Sequence, residues 1–143
     1  MALAAKDHCQ DLGMKGKVSK NGAGSDGTSY LERLNRYGDL GSAISEDVNI
    51  YQRPNVKEMM IQLLLEEVPN SASDPSIWNS SFKKMGLAAC THASMGNLMV
   101  LLLAEEFEEN EATQKILENW VDNRLKDADG FDVPVLGAHG SAF

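Results

Sequence analysis

Residues 97–107, NLMVLLLAEEF, restrict the fold more than any other stretch of the chain. The middle of this stretch is apolar at consecutive positions, whereas a strand with one solvated face would alternate apolar and polar residues. Its apolar run, Leu98 to Ala104, is far shorter than the roughly 20 residues that a membrane-spanning helix needs. We therefore predict a central β-strand that other elements cover on both faces.

Helical patterns surround this predicted strand. Apolar residues recur at the spacing of one helix face after Pro54, at Val56, Met59, Met60, Leu63 and Leu64. Ser29 and Glu32 form the pattern of a capping box at the start of another helix. Gly13 and Gly38 are predicted to end helices, and Asn110 is the predicted N-cap of the last one.

The predicted elements alternate between helices and short strands. They are, in order, helices at 2–13 and 29–38, a strand at 43–51, a helix from Pro54 to Pro69, strands at 84–92 and 97–107, and a helix at 110–125. Helices layered on a small antiparallel sheet make an α+β fold of the α-β-α sandwich type. The remaining tail has no regular pattern.

Charge and cysteine content restrict the partners and the compartment. The chain has 21 acidic against 13 basic residues, a net charge of −8. Such a surface repels phosphate, which argues against nucleic acids and against insertion into anionic membranes, and leaves other protein subunits as partners. Cys9 and Cys90 could form one bridge, but two buried thiols are favoured. No signal peptide is visible, so an intracellular location is preferred, although the sequence does not fix the compartment.

The glycine-rich stretch KNGAGSDGTS at residues 20–29 could be either a phosphate cradle or a turn. A P-loop requires a preceding strand and a Gly-Lys-Ser/Thr ending. Here a predicted helix precedes the loop, and Asp26 would repel a phosphate. We therefore predict a turn that leads into the helix cap at Ser29.

Few residues have a pattern typical of catalysis or metal binding. His8, His92 and His139 have no second histidine at ligand spacing, and structural roles are predicted for all three. The acidic stretch DADGFD at 127–132 lacks the glycine and glutamate positions of an EF-hand, so a solvated turn is favoured over a calcium site. Two groups of acids, Glu46 with Asp47 and Glu66 with Glu67, could meet in a cleft or remain exposed. No cofactor is predicted.

Several stretches, taken in order, resemble the CAP superfamily, which includes cysteine-rich secretory proteins, antigen-type venom proteins and plant pathogenesis-related proteins. They are AKDHCQDLG, GAGSDGTS, YLERLNRYG, SEDVNIY, SIWNSSFKKMGLA and NLMVLLLAEEF. The resemblance is to the cysteine-poor form and covers about residues 3–109. It implies a CAP-type α-β-α sandwich at 1–109, truncated at its N-terminus by one helix, with an appended helix and irregular tail at 110–143.

The cleft motifs of that form are only partly present. The form carries GHxGSDGS, GENI and RGHRxNIFNPxF, whose two histidines and two acids can bind a divalent metal. In this sequence Gly22 and Ser73 hold the places of the histidines, whereas Glu46 and Glu66 match the acids. The resemblance therefore implies a degenerate cleft without imidazole ligands, and we predict neither a metal nor catalysis there.

The favoured hypothesis is a non-enzymatic interaction module that acts as a structural subunit of a larger assembly. The face left open by the absent first helix needs a cover, which the last helix or a partner protein could supply. Four residues of that helix form a candidate interface: Ile116, Leu117, Trp120 and Val121. The alternatives are a lipid- or sterol-binding protein and, less favoured, a residual metal-dependent hydrolase using Glu46 and Glu66.

Overall fold

A computed structural model describes residues 1–18, 22–42, 44–51, 55–66 and 76–127 of the chain. It contains both helices and antiparallel strands, so the predicted α+β class is confirmed. The elements are α1 (Ala2–Lys15), α2 (Tyr30–Leu34), β1 (Gly38–Leu40), β2 (Ile44–Tyr51), α3 (Val56–Glu66), a 3-10 turn (Ser76–Trp78), β3 (Lys84–His92), β4 (Gly96–Ala104), β5 (Phe107–Glu109) and α4 (Glu111–Asp127).

The strand predicted to be central is the middle strand of a three-stranded antiparallel sheet, β2-β4-β3. Val100 of β4 lies opposite Val48 of β2 and opposite Ala88 of β3. Every β4 residue from Leu98 to Ala104 is buried. This part of the sequence prediction is confirmed, including its cover on both faces.

A different helix covers each face of this sheet. On one face α1 packs on β4 through Leu98, Val100 and Leu102. On the other face Met59 and Leu63 of α3 pack on the alternate residues of β4. These residues are Met99, Leu101 and Leu103. Alternate side chains of β4 therefore belong to two separate apolar cores, one on each face of the sheet.

Two glycines bring α1 unusually close to β3. A Cβ on Gly13 would lie 2.5 Å from the carbonyl oxygen of Thr91, and a Cβ on Gly86 would lie 2.6 Å from the carbonyl carbon of Met1. The backbone N–H of Ala93 also donates to the carbonyl of Gly13 at 2.9 Å. Glycine is needed at both positions because any larger residue would push the helix off the strand.

Gly13 does not end α1, and that prediction is wrong. The helix continues to Lys15 and ends at Gly16, whose φ of 60° is in the left-handed region. The N–H of Gly16 donates to the carbonyl of Gly13, and the N–H of Lys17 donates to that of Leu12. These two bonds complete a glycine C-cap, whereas Gly13 serves the contact with β3.

The cysteines form a disulfide bridge, so the prediction of two free thiols is wrong. Cys9 on α1 is joined to Cys90 on β3. The sequence pattern did not show this pairing because the bridge depends on the packing of α1 against a strand 81 residues away in sequence. The bridge fixes the middle of α1 to β3, between the contacts made by the two glycines.

Both predicted N-caps are confirmed. The N–H of Glu32 donates to the Ser29 hydroxyl, and the Glu32 carboxylate accepts from the N–H of Ser29. The N–H of Thr113 donates to the Asn110 side chain at 2.9 Å.

A small second sheet was not predicted. β1 pairs with β5 in a two-stranded antiparallel sheet, with Gly38 opposite Glu109. Gly38 begins β1 instead of ending a helix, and α2 already ends at Leu34. A Cβ on Gly38 would lie 2.2 Å from the carbonyl oxygen of Glu108, so this glycine is required by the strand pairing.

We predict that replacing both cysteines, Cys9→Ala with Cys90→Ala, lowers the free energy of unfolding by about 2–5 kcal/mol, because the bridge restricts the unfolded chain. Urea unfolding followed by circular dichroism measures this loss through the midpoint. The unreduced wild-type protein is the reference, and the wild-type protein in reductant should unfold like the variant. Equal midpoints for the oxidised wild type and the variant would contradict the bridge.

Candidate functional site

The four predicted cleft positions lie in separate segments of the chain, and their grouping into one cleft stays a prediction. Gly22 lies in the glycine-rich loop with φ +70°, and Ser73 lies outside the described residues. Glu46 pairs with Leu102, which belongs to the core on the α1 side. Glu66 ends α3, the helix on the other face. Glu46 therefore belongs to the sheet, and Glu66 belongs to a helix that packs on it.

The glycine-rich loop is a turn fastened to α1, as predicted. The Asp11 carboxylate on α1 accepts hydrogen bonds from the N–H and the hydroxyl of Ser25, at 2.6 and 2.5 Å, and from Lys15 at 2.6 Å. Although burial raises the pKa of Asp11, these bonds from Lys15 and Ser25 hold it well below its usual range. Asp26 accepts from the N–H and hydroxyl of Thr28, which closes the turn.

A buried arginine holds the loop from the other side. Arg33 of α2 is 3% exposed. Its guanidinium donates to the carbonyl oxygens of Thr28 and Gly22, both at 2.8 Å. The burial of Arg33 was not predicted, because an arginine in a short surface-type helix gives no local sign that it will be buried. The loop backbone is therefore held by Asp11 on α1 and by Arg33 on α2.

His8 lies in the interior of α1 and is fully buried. Burial, reinforced by the positive charge of Arg33, lowers the pKa of His8 to about 4. His8 is therefore neutral at pH 7 and occupies a core position. No Cys–His dyad forms with its neighbour, because Cys9 is bridged.

His92 has a structural role, in agreement with the prediction. It is 2% exposed at the end of β3. Its Nε2 lies 3.0 Å from the Lys17 carbonyl oxygen, and its Nδ1 accepts from the N–H of Ser94. The ring therefore ties the β3–β4 turn to the chain after α1. His139 and the acidic stretch at 128–132 lie outside the described residues.

A groove of about 610 Å³ lies where the two sheets meet. It is lined mostly by charged side chains: Asp39, Lys83, Lys84, Glu105, Glu106 and Glu108. Among the described residues, no three His, Cys, Asp or Glu side chains are grouped so that they could hold a metal ion. The groove has mixed charge and does not resemble an apolar ligand pocket.

The predicted interface residues lie together on α4, and most are exposed. Ile116, Trp120 and Val121 are 42%, 44% and 51% exposed, and Leu117 is half-buried. Neighbours three or four residues apart lie side by side on a helix. These four residues, here called the α4 stripe, therefore form a continuous apolar surface.

A second apolar surface, on the outer side of α3, was not identified in the sequence. Ile61 and Leu65 are 48% and 69% exposed and line a groove of about 320 Å³ with Glu58 and Gln62. The signal was present in EMMIQLLLEE, where apolar residues extend beyond the one face that the sheet covers. The helix is therefore apolar around much of its circumference.

Comparisons with family models, with curated proteins and with solved structures found no match to this chain. The resemblance to the CAP superfamily therefore rests on the order and spacing of its motifs alone. Within the described part of the chain, no helix combines the length and the apolar character needed to cross a membrane.

We predict that the free energy of unfolding falls as the pH is lowered from 6.5 to about 4. The folded pKa of His8 lies below its ordinary value of 6.5, so in this window the unfolded chain binds more protons than the folded one. The slope is at most about 1.4 kcal/mol per pH unit. His8→Leu should flatten it in denaturant melts recorded across this range.

Asp11→Asn is the matched comparison for this pH experiment. Because the pKa of Asp11 is lowered in the folded state, its ionised carboxylate stabilises the fold at pH values above the pKa of a free aspartate. This stabilisation is lost as the pH falls further and the carboxylate becomes protonated. Its removal should therefore change the curve below about pH 4 and leave the slope above it in place. A slope between pH 4 and 6.5 that persists in His8→Leu would show that another group controls it.

Proposed function

We propose that this chain is a non-catalytic interaction module with a CAP-like fold and that it serves as a structural subunit of a larger protein assembly. The observation that carries this proposal is the exposed α4 stripe. Single exposed apolar residues are common on protein surfaces, but contiguous ones on a helix are typical of binding surfaces. Trp120 is of the residue type most often found as an interface anchor.

The attachment of α4 to the rest of the molecule supports this function. The Asn110 side chain donates to the Arg36 carbonyl, and the Asn110 N–H donates to the Tyr37 carbonyl, so the start of the helix is held firmly. Farther along, Lys6 of α1 lies 4.3 Å from the centre of the Trp120 ring. Between residues 114 and 123 every side chain except Leu117 is exposed. The helix is anchored at its start, and its described side chains from residue 114 to 123, apart from Leu117, face outward.

The residues at the cleft positions support a function without catalysis. Gly22 and Ser73 stand where the resemblance expects imidazole ligands, and neither side chain can replace an imidazole as a metal ligand or a base. Glu46 and Glu66 remain, but carboxylates alone make a poor zinc site. At these four positions the chain therefore keeps both acids and lacks both histidines.

Two alternative functions can be distinguished from the proposed one by lipid-binding, metal-binding and activity measurements. A lipid- or sterol-binding protein would take up lipid after delipidation, and the apolar groove beside Ile61 and Leu65 is the described surface closest to that requirement. A residual hydrolase would lose metal uptake or activity in Glu46→Gln. The interaction module should show neither effect.

We predict that the protein isolated from its source has a native mass well above the 15.6 kDa of one chain and contains other chains in fixed stoichiometry. Size-exclusion chromatography with light scattering gives the mass, and mass spectrometry identifies the co-purifying chains. The recombinant chain alone is the control for self-association. A monomer from the source, without partner chains, would contradict the proposed function.

A further inference from the structure

We propose that Asn79 is a site of N-linked glycosylation and that the chain therefore passes through the lumen of the secretory compartment. Asn79, Ser80 and Ser81 form an Asn-X-Ser acceptor sequence, in which the middle residue is not proline. No other asparagine of the sequence has a serine or threonine two residues after it. This inference concerns a covalent modification and does not rest on the proposed function.

The acceptor sequence lies on the surface, where a bulky and hydrated oligosaccharide has room. Asn79, Ser80 and Ser81 are all exposed and directly follow the 3-10 turn Ser76–Trp78. Trp78, the residue before Asn79, is itself 51% exposed. A glycan attached to Asn79 can therefore extend into solvent.

Hydrogen bonds in this segment hold the Asn79 side chain in a defined orientation. The N–H of Ser81 donates to the Asn79 side-chain oxygen at 3.0 Å, which makes an Asx turn. Because a backbone N–H can only donate, the amide atom that faces Ser81 must be Oδ1. The other amide atom, Nδ2, is the atom that carries the sugar in N-linked glycans, and it is directed away from this bond.

The exposed turn is fastened to the rest of the molecule on both sides. The N–H of Phe82 donates to the Asn79 carbonyl at 3.1 Å, and Ile77 and Phe82 pack on the core between α3 and the sheet. In contrast, α4 contacts α1 through Trp120 and Lys6, and α1 covers the opposite face of the sheet. A glycan on the α3 side would therefore leave the α4 stripe accessible to protein partners.

The Cys9–Cys90 bridge is an independent observation that points to the same compartment. Disulfides form and persist in the lumen of the endoplasmic reticulum and in secreted proteins, and they are rare in the cytosol. N-linked oligosaccharides are attached in that same lumen. The location differs from the intracellular one preferred from the sequence, for which two buried thiols were favoured.

The second substrate of the modification is an oligosaccharide that a membrane lipid carries through a pyrophosphate group. Asn79 Nδ2 forms a bond to C1 of the first sugar, and the bond between C1 and the phosphate oxygen breaks. The lipid pyrophosphate leaves, and the amide nitrogen gives up one proton to a base of the transferase. The transferase recognises the hydroxyl of Ser81, which is why the third position of an acceptor sequence is serine or threonine.

The first test uses the protein isolated from its source. An amidase that removes N-linked glycans converts the glycosylated asparagine to aspartate, and in heavy-oxygen water the new carboxylate is labelled. We expect the intact mass to fall on this treatment and the label to appear at Asn79 in the tryptic peptide 58–83. Asn70 lies in the same peptide outside any acceptor sequence, so it should stay unlabelled and controls for spontaneous deamidation.

The second test secretes the full chain from cultured eukaryotic cells behind an added leader peptide. The wild type should carry one glycan, seen as a gel shift that the amidase reverses. Asn79→Gln should lose this shift completely, and so should Ser81→Ala, which keeps the backbone N–H that closes the turn. Ser81→Thr should retain the shift because threonine supplies the same hydroxyl. Asn119→Gln, at an exposed position of α4 outside any acceptor sequence, should behave like the wild type.

Three outcomes would overturn this inference. They are a source protein whose peptide 58–83 has its unmodified mass, a label at Asn70 without one at Asn79, and a secreted wild-type chain without a glycan. The proposed function is judged separately, by the number and identity of the protein chains in the native assembly. A source monomer that carries a glycan on Asn79 would refute the proposed function and support this inference alone.

Discussion

The close contact between α1 and β3 is the constraint on which most of the structure depends. Gly13 and Gly86 have no side chain at the two points where helix and strand come closest. The Cys9–Cys90 bridge lies between these two contacts. With α1 held there, its apolar face covers β4 from one side, and β4 can be buried on both faces. The polar side of the same helix then presents Asp11, which holds the glycine-rich loop. The position of α1 thus determines both the packing of the core and the placement of the glycine-rich loop.

Local patterns in the sequence predicted those elements whose cause is local. The apolar run of β4, the capping box at Ser29 and the cap at Asn110 depend on neighbours within a few residues. In contrast, the disulfide bridge and the β1–β5 pairing depend on chain segments far apart in sequence. No single-sequence pattern reports such contacts, because the same residues would be compatible with other partners.

The candidate site shows the same division. The apolar spacing of the last helix was enough to identify the α4 stripe. A helix with more apolar surface than its contact with the core can cover leaves some apolar side chains exposed. The burial of Arg33 was not visible, because it follows from the two carbonyl oxygens of a loop that meets α2 only in the folded chain. The cleft inferred by resemblance remains a prediction, and one of its four positions, Ser73, lies outside the described residues.

The one-sided attachment of α4 has a consequence for local unfolding. Its first turn is bonded to Arg36 and Tyr37, but the later turns bury little apolar surface on the rest of the molecule. Residues 114–123 lose few contacts on opening, so their opening costs little free energy while the sheet stays intact. Any ligand of α4 that binds the closed helix would slow amide hydrogen exchange in this helix long before it affected β4. The thermodynamic stability of this part of α4 would then depend on the ligand, whereas that of the sheet depends on contacts within the chain.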